Sequence, residues 1–190
     1  MSIHIYAPLP TLLGGVFGLS EAWLALRRHS RSSRASLDRG SLLGFWILVP
    51  VSLMLAQWAA AALPQWRLPG TWPLDIGMLL LVAGLVLRWY SICHIGRWFT
   101  VNVAIHAEQP LIKSGPYRFV RHPSYSGALL ALIGLGLSTG HIVAMQLAWL
   151  PALPAFIYRI HVEEKALRQA FGETWRVYCR HTWRLLPGLC

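Results

Sequence analysis

The residues best equipped for chemistry fall in two separated stretches. The first, residues 114–127, reads SGPYRFVRHPSYSG and gathers Tyr117, Arg118, Arg121, His122, Ser124 and Tyr125 between two strongly apolar regions. The second, residues 159–178, holds Arg159 and Glu163 four apart, so that one helix face presents a cation and a carboxylate toward the same pocket, with Glu164 adjoining. Together these side chains can hold a ligand's donor groups, grip a carboxylate with a two-pronged arginine, or move a proton. Pro123 suits the first position of a helix, which places His122, Pro123, Ser124 and Tyr125 around a helix N-terminus whose N–H groups favour an anion such as a carboxylate. Singly, each residue has a plainer reading: His122-Pro123 as a helix start, Arg118 and Arg121 as interfacial anchors, Glu163-Glu164 as a solvated pair. Their joint placement points to a site.

The elements that must position these groups are membrane spans. Of 190 residues, 55% are hydrophobic and only 13% charged, too apolar for an ordinary soluble domain. Residues 7–26, 41–63 and 74–93 are each long enough to cross about 30 Å of hydrocarbon as a helix. Residues 124–138 and 142–158 are shorter apolar runs joined by a tight turn at 138–141, and they read as a helical hairpin. Residues 159–180 then place Ile160, Leu167, Phe171, Trp175 and Tyr178 on one face and charges on the other, the pattern of an amphipathic helix at a membrane face. The fold class expected is all-α integral membrane, with about five transmembrane helices, the last two a hairpin, and a C-terminal amphipathic helix on the cytoplasmic side. Residues 1–190 form one membrane domain, with three spans in 1–94 and a catalytic half in 95–190.

The formal charge of +10 carries no signature of nucleic-acid binding, because the basic residues sort by membrane side. Only Arg67 of the 17 Lys and Arg falls on the predicted outer side. The N-terminus is therefore expected outside, and the site and C-terminus in the cytoplasm. Trp58, Trp66 and Trp72 are expected as an outer aromatic belt. Gly77, Gly84, Gly127 and Ala131 suit close helix packing, and Pro151 and Pro154 should bend the second arm of the hairpin. Glu21 lies within two turns of Arg27 and is expected to reach solvent at the interface. No cleavable leader is expected, since no basic stretch precedes the first apolar run, and Cys190 is misplaced for prenylation.

Other chemistries lack their signatures. Gly14, Gly15 and Gly18 lie in a spanning helix with no strand before them, so no dinucleotide-binding turn is expected. There is no P-loop, no HExxH, no histidine pair at metal-ligand spacing and no G-x-S-x-G elbow, and Cys93, Cys179 and Cys190 form no disulfide framework. No metal is expected.

The segments GPYRFVRHPSYSG (115–127) and RIHVEEKALRQAFGETWRVY (159–178), with GRWFTVNVAIHAEQPLIKSG (96–115) upstream, resemble the isoprenylcysteine carboxyl methyltransferase family of membrane enzymes. The likeness covers about residues 96–187. It implies an S-adenosylmethionine-dependent methyltransferase whose cofactor pocket lies between the last spans and the C-terminal helix. By the same resemblance, Gln109, Pro110, Leu111, Ile112, Tyr117, His122, Pro123, Ser124, Tyr125 and Glu163 would contact the cofactor. Arg159 would face the acceptor, and Arg159 and Glu163 would carry the reaction. Gln109 stands where many relatives have histidine, and Trp175 where tyrosine is usual. The implied partners are the bilayer and a lipophilic methyl acceptor, with S-adenosylhomocysteine as product. An acceptor carboxylate needs orientation, whereas an amine or hydroxyl needs a base, for which His122 or Glu164 is the candidate. Three rival readings remain at the level of sequence: a lipid N-methyltransferase, a nicotinamide-dependent reductase of the sterol-reductase type, and a non-enzymatic scaffold.

Overall fold

The computed structural model describes residues 8–27, 39–101, 105 and 108–188, so most of the basic segment 27–39 and the terminal Cys190 lie outside the described residues. Among the described residues six α-helices follow in chain order: α1 (Pro8–Arg27), α2 (Arg39–Ala62), α3 (Trp72–Ile95), α4 (Pro123–Leu137), α5 (Ile142–Trp149) and α6 (Leu153–Arg180). Among the described residues there is no strand, only isolated bridges pairing Arg67 with His141 and Val120 with Trp183.

Local chemistry sets most of the helix ends. Pro73 and Pro123 sit at the starts of α3 and α4, where a missing N–H costs no helical bond. Gly96 ends α3 at φ 62°, a conformation that a side chain would strain. His141 caps α5, its Nδ1 accepting from the Ala144 N–H at 3.1 Å, while its Nε2 lies 2.7 Å from the Leu63 carbonyl and so ties α2 to the hairpin turn.

The centre of the molecule is the antiparallel contact between α3 and α4. A Cβ on Gly84 would lie 2.5 Å from the Ala131 nitrogen, and one on Gly127 would lie 2.6 Å from the Arg88 nitrogen. Gly77 and Gly134 meet in the same reciprocal way one level further along. In lipid, apolar side chains gain little by leaving the solvent, so backbone-to-backbone approach of this kind supplies helix association through close van der Waals contact. A second layer brings Phe17 of α1 and Phe156 of α6 against Ala128 and Leu132.

Large apolar side chains cover the outside of α1, α2 and α3, including Leu19, Met54, Leu79 and Val86. Such an outer surface suits hydrocarbon rather than water. Among the described residues, three segments are long and apolar enough to cross a membrane: Leu43–Ala62, Trp72–Trp98 and Ile142–Arg180. The described parts of the first four apolar runs expected from the sequence are mostly helical, α4 being the shorter one, whereas the fifth, 142–158, is divided between α5 and the start of α6.

The structure differs from expectation after the hairpin turn. Pro151 and Pro154 do not bend one arm; the helix stops at Trp149 and a new one starts at Leu153. A proline lacks the N–H that would continue α5 and is accommodated in the first turn of α6. No break occurs between residues 158 and 159, because a change from apolar to charged composition does not interrupt backbone hydrogen bonding. α6 thus spans 28 residues, but it is kinked at Gly172, whose φ of 52° and ψ of −120° separate two helical parts. Its buried positions include Arg159 and Glu164 as well as Ile160, Trp175 and Tyr178, so the inward side is mixed rather than purely apolar.

Candidate active site

The close contact of α3 and α4 brings the first turn of α4 beside the C-terminal end of α3, and α6 crosses the same end. A cleft opens there, walled by α1, α2, α3, α4 and α6, with residues 98–101, Ile105 and Gln109. Of the site residues expected from the sequence, Gln109, Tyr117, His122, Ser124, Tyr125, Arg159 and Glu163 line it. Pro110, Leu111, Ile112 and Pro123 do not. Pro110 faces outward and the chain leaves the cleft after Gln109, while Pro123 is fully buried beneath the helix start.

Tyr125 sits at the middle of the polar wall. Its hydroxyl donates to Glu163 Oε2 at 2.9 Å and accepts from Arg159 Nε at 3.0 Å. Its ring stacks on His122 with centroids 5.6 Å apart and meets Phe156 edge-on. Arg159 also donates to the Val101 carbonyl, which ties α6 to the chain just after Trp98. Glu163 is 33% exposed and opens toward the cleft, whereas Glu164, at 8%, points inward to Arg121 and Arg184 at 3.1 and 2.9 Å. Adjacent residues on a helix point about 100° apart, so this pair divides between a ligand-facing acid and a structural one.

His122 lies between the two acids, with Nε2 3.4 Å from Glu164 and Nδ1 3.7 Å from Glu163. The first distance fits a long hydrogen bond, and the second exceeds one. Tyr117 donates to the Ser91 carbonyl and its own carbonyl accepts from Tyr178, which fixes the turn at Gly115–Arg118. Burial raises the Tyr117 pKa well above the usual phenol range, so its hydroxyl stays a neutral donor. The α4 N-terminus is less open to an anion than its sequence implies: Pro123 has no N–H, and the N–H groups of His122 and Tyr125 go to the carbonyls of Arg184 and His122.

Two charged residues reach the cleft that sequence reasoning did not place there. Arg88 of α3 is 5% exposed and grips both carboxylate oxygens of Glu21, while its remaining nitrogen donates to the Ser124 carbonyl at 3.1 Å. Glu21 is thus not a solvated interfacial acid as expected; it is the counter-ion of a buried arginine. The signal was present in the sequence, since two opposite charges each interrupt an apolar run near its inner end. Phe45 and Trp46 of α2 complete an apolar side of the cleft.

A helical membrane protein with a built polar cleft, aromatic on one wall and charged on two, has the architecture of an intramembrane enzyme. The sequence model of the isoprenylcysteine carboxyl methyltransferase family matches residues 76–169. The chain is 29% identical over 175 residues to a probable protein-S-isoprenylcysteine O-methyltransferase of Oryza sativa subsp. indica, an alignment spanning 90% of this chain and 91% of the relative. It is 33% identical over 127 residues to the cobalt-zinc-cadmium resistance protein CzcN of Cupriavidus metallidurans, across 65% and 55% of the two chains. To a methanethiol S-methyltransferase of a Pseudomonas species it is 29% identical over 168 residues, across 80% and 61%. The fold matches that of the eukaryotic intramembrane Ras methyltransferase ICMT with a TM-score of 0.64 at 21% identity, covering 97% of this chain and 70% of the other. The chain is thus similar, in sequence and in fold, to the isoprenylcysteine carboxyl methyltransferase family of membrane methyltransferases.

Proposed function

We propose that this protein uses S-adenosylmethionine to methylate a lipophilic acceptor, with a carboxylate of the isoprenylcysteine type as the acceptor its cleft suits best. The observation that carries the reading is the convergence of His122, Tyr125, Arg159 and Glu163, drawn from two distant stretches of chain, on one cleft. When bound, S-adenosylmethionine supplies a methyl group activated by a sulfonium centre.

The residues fit such a donor on their own geometry. Nδ1 of His122 and Oε2 of Glu163 face each other 3.7 Å apart, too far to bond one another. They suit a ligand ammonium, whose several N–H groups can donate to both. The stacked rings of His122 and Tyr125 and the ring of Tyr117 supply aromatic faces for a cation. Arg159, held by Tyr125 and Val101, offers the guanidinium that orients an acceptor carboxylate. A carboxylate is already a nucleophile, so orientation at near-attack distance is the main requirement and no base is needed. Phe45, Trp46, Ile95 and Leu167 give the acceptor's lipid portion an apolar wall. The cleft opens on the cytoplasmic side, with the N-terminus outside, five passes between, and residues 159–180 along the inner face.

Purified protein in detergent should bind S-adenosylhomocysteine saturably in titration calorimetry and show no comparable binding of NADPH. It should pass a labelled methyl group to an S-prenylated cysteine bearing a free carboxylate but not to the corresponding methyl ester. Binding of NADPH alone sinks the proposal in favour of a reductase. The methanethiol S-methyltransferase among the relatives supports one alternative acceptor, a small thiol. Methylation of a thiol but not of the prenylcysteine carboxylate would establish it.

A further inference from the structure

The family match ends at residue 169, yet the chain beyond it returns to the start of α4. Residues 182–185 run beside residues 119–122. The Trp183 N–H donates to the Phe119 carbonyl at 3.0 Å, the Arg121 N–H to the Trp183 carbonyl at 2.8 Å, and the His122 N–H to the Arg184 carbonyl at 3.1 Å. Ser126 in the first turns of α4 donates its hydroxyl to the Leu185 carbonyl, and Arg121 donates to the Thr182 carbonyl. The C-terminal segment therefore holds both the backbone and the approach of His122.

It also reaches the ring. Arg184 donates through Nη2 and Nε to the two oxygens of Glu164, at 2.9 and 3.2 Å. Arg121 donates to the same carboxylate at 3.1 Å, and His122 Nε2 lies 3.4 Å from it. A carboxylate held by two guanidinium groups is ionised and can only accept, so the ring nitrogen beside it must carry the proton. In the neutral ring, a proton on Nε2 leaves Nδ1 to accept, and it faces Glu163 and the cleft.

We propose that Arg184 and Glu164 are positioning residues for the methyl-transfer site, and that the C-terminal segment 182–185 fixes the orientation and tautomer of His122 so that Nδ1 and Glu163 together receive a donor group of the bound ligand. The role assigned to that ligand rests on the function proposed above. The arrangement of Arg184, Glu164 and His122 does not. Arg184 is 36% exposed in its side chain and lies outside the helical core, so replacing it leaves the packed helices in place.

The test compares wild-type protein with Arg184→Ala and Arg184→Lys, using S-adenosylhomocysteine as the probe and nitrogen NMR of labelled histidine rings, with the His122 signals assigned from a His122→Gln sample. Wild type should show His122 protonated at Nε2. Arg184→Ala should shift those signals toward a mixture of tautomers and weaken binding about tenfold at an unchanged thermal midpoint, and Arg184→Lys should recover most of both. An Arg184→Ala protein with unaltered His122 signals and unaltered affinity overturns the proposal. So does a loss of binding that comes with a lowered midpoint and is not recovered by lysine, since that would make Arg184 merely structural. Wild-type protein that shows the Nε2 tautomer but binds no S-adenosylhomocysteine would overturn the cofactor assignment and leave the positioning of His122 standing.

Discussion

Glu21 and Arg88 each interrupt an apolar helix, and each would be costly alone; as a two-pronged pair they neutralise one another and tie α1 to α3 and to the first turn of α4. Glu21→Ala should therefore destabilise the protein by about 3 kcal/mol, read as a lowered midpoint in thermal unfolding in detergent, because it leaves a buried guanidinium unpaired. The double variant Glu21→Leu with Arg88→Met should recover most of that loss, since removing both charges removes the need for a partner. Equal losses in the single and double variants would show that the pair adds nothing beyond its separate residues. Glu163 behaves differently because it is a third exposed and directed into the cleft. Glu163→Gln keeps its shape and loses its charge, so it should weaken S-adenosylhomocysteine binding about tenfold while the thermal midpoint stays put. Unchanged affinity in calorimetry would remove Glu163 from the ligand's contacts.

Among the helices, the decisive contact is between α3 and α4, where glycine lets two backbones touch. Gly84→Ala places a Cβ 2.5 Å from the Ala131 nitrogen, against backbone that cannot rotate away. It should cost about 2 kcal/mol and, by pushing the first turn of α4 off α3, lower methyl transfer as well. Gly15→Ala on α1, where an added Cβ meets nothing within 4 Å, is the control and should be close to neutral in thermal unfolding. A Gly84→Ala protein as stable as the Gly15→Ala protein would mean the helices can separate without penalty. Within α6, Gly172 adopts φ 52°, so Gly172→Ala should cost about 1 kcal/mol through backbone strain alone. These effects share one origin, since each position is set by backbone geometry and not by side-chain chemistry.

At the scale of the whole molecule, the proposed orientation follows from the charge asymmetry between its two ends. In a protein whose native cysteines have been replaced, a cysteine at the exposed Lys113 should react with a membrane-impermeant thiol reagent only after the cytoplasmic face is made accessible, and one at Arg67 only from the opposite face. The reverse pattern would invert the topology and place the cleft outside. The two ends are also built differently. The end bearing Arg67 is closed by His141 on the Leu63 carbonyl and by the Leu68–Gly140 backbone bond, while the other end is left open as the cleft.

By itself, the sequence determined the helical membrane class, the small-residue seam of α3 and α4, and the two polar stretches that meet in the cleft. These are carried by composition, spacing and local turn chemistry, which act over a few residues. The family resemblance was equally legible, because its motifs lie in continuous runs. Only the tertiary structure decided which residues within those runs face the cleft. It turned Glu163 outward and Glu164 inward, let Gln109 into the cleft while excluding Pro110, Leu111 and Ile112, and paired Glu21 with an arginine 67 positions away. It also brought Arg184 back to His122 through Glu164. Pairings of that kind depend on how helices rotate and cross when they pack, and a one-dimensional pattern does not encode the angle at which one helix meets another.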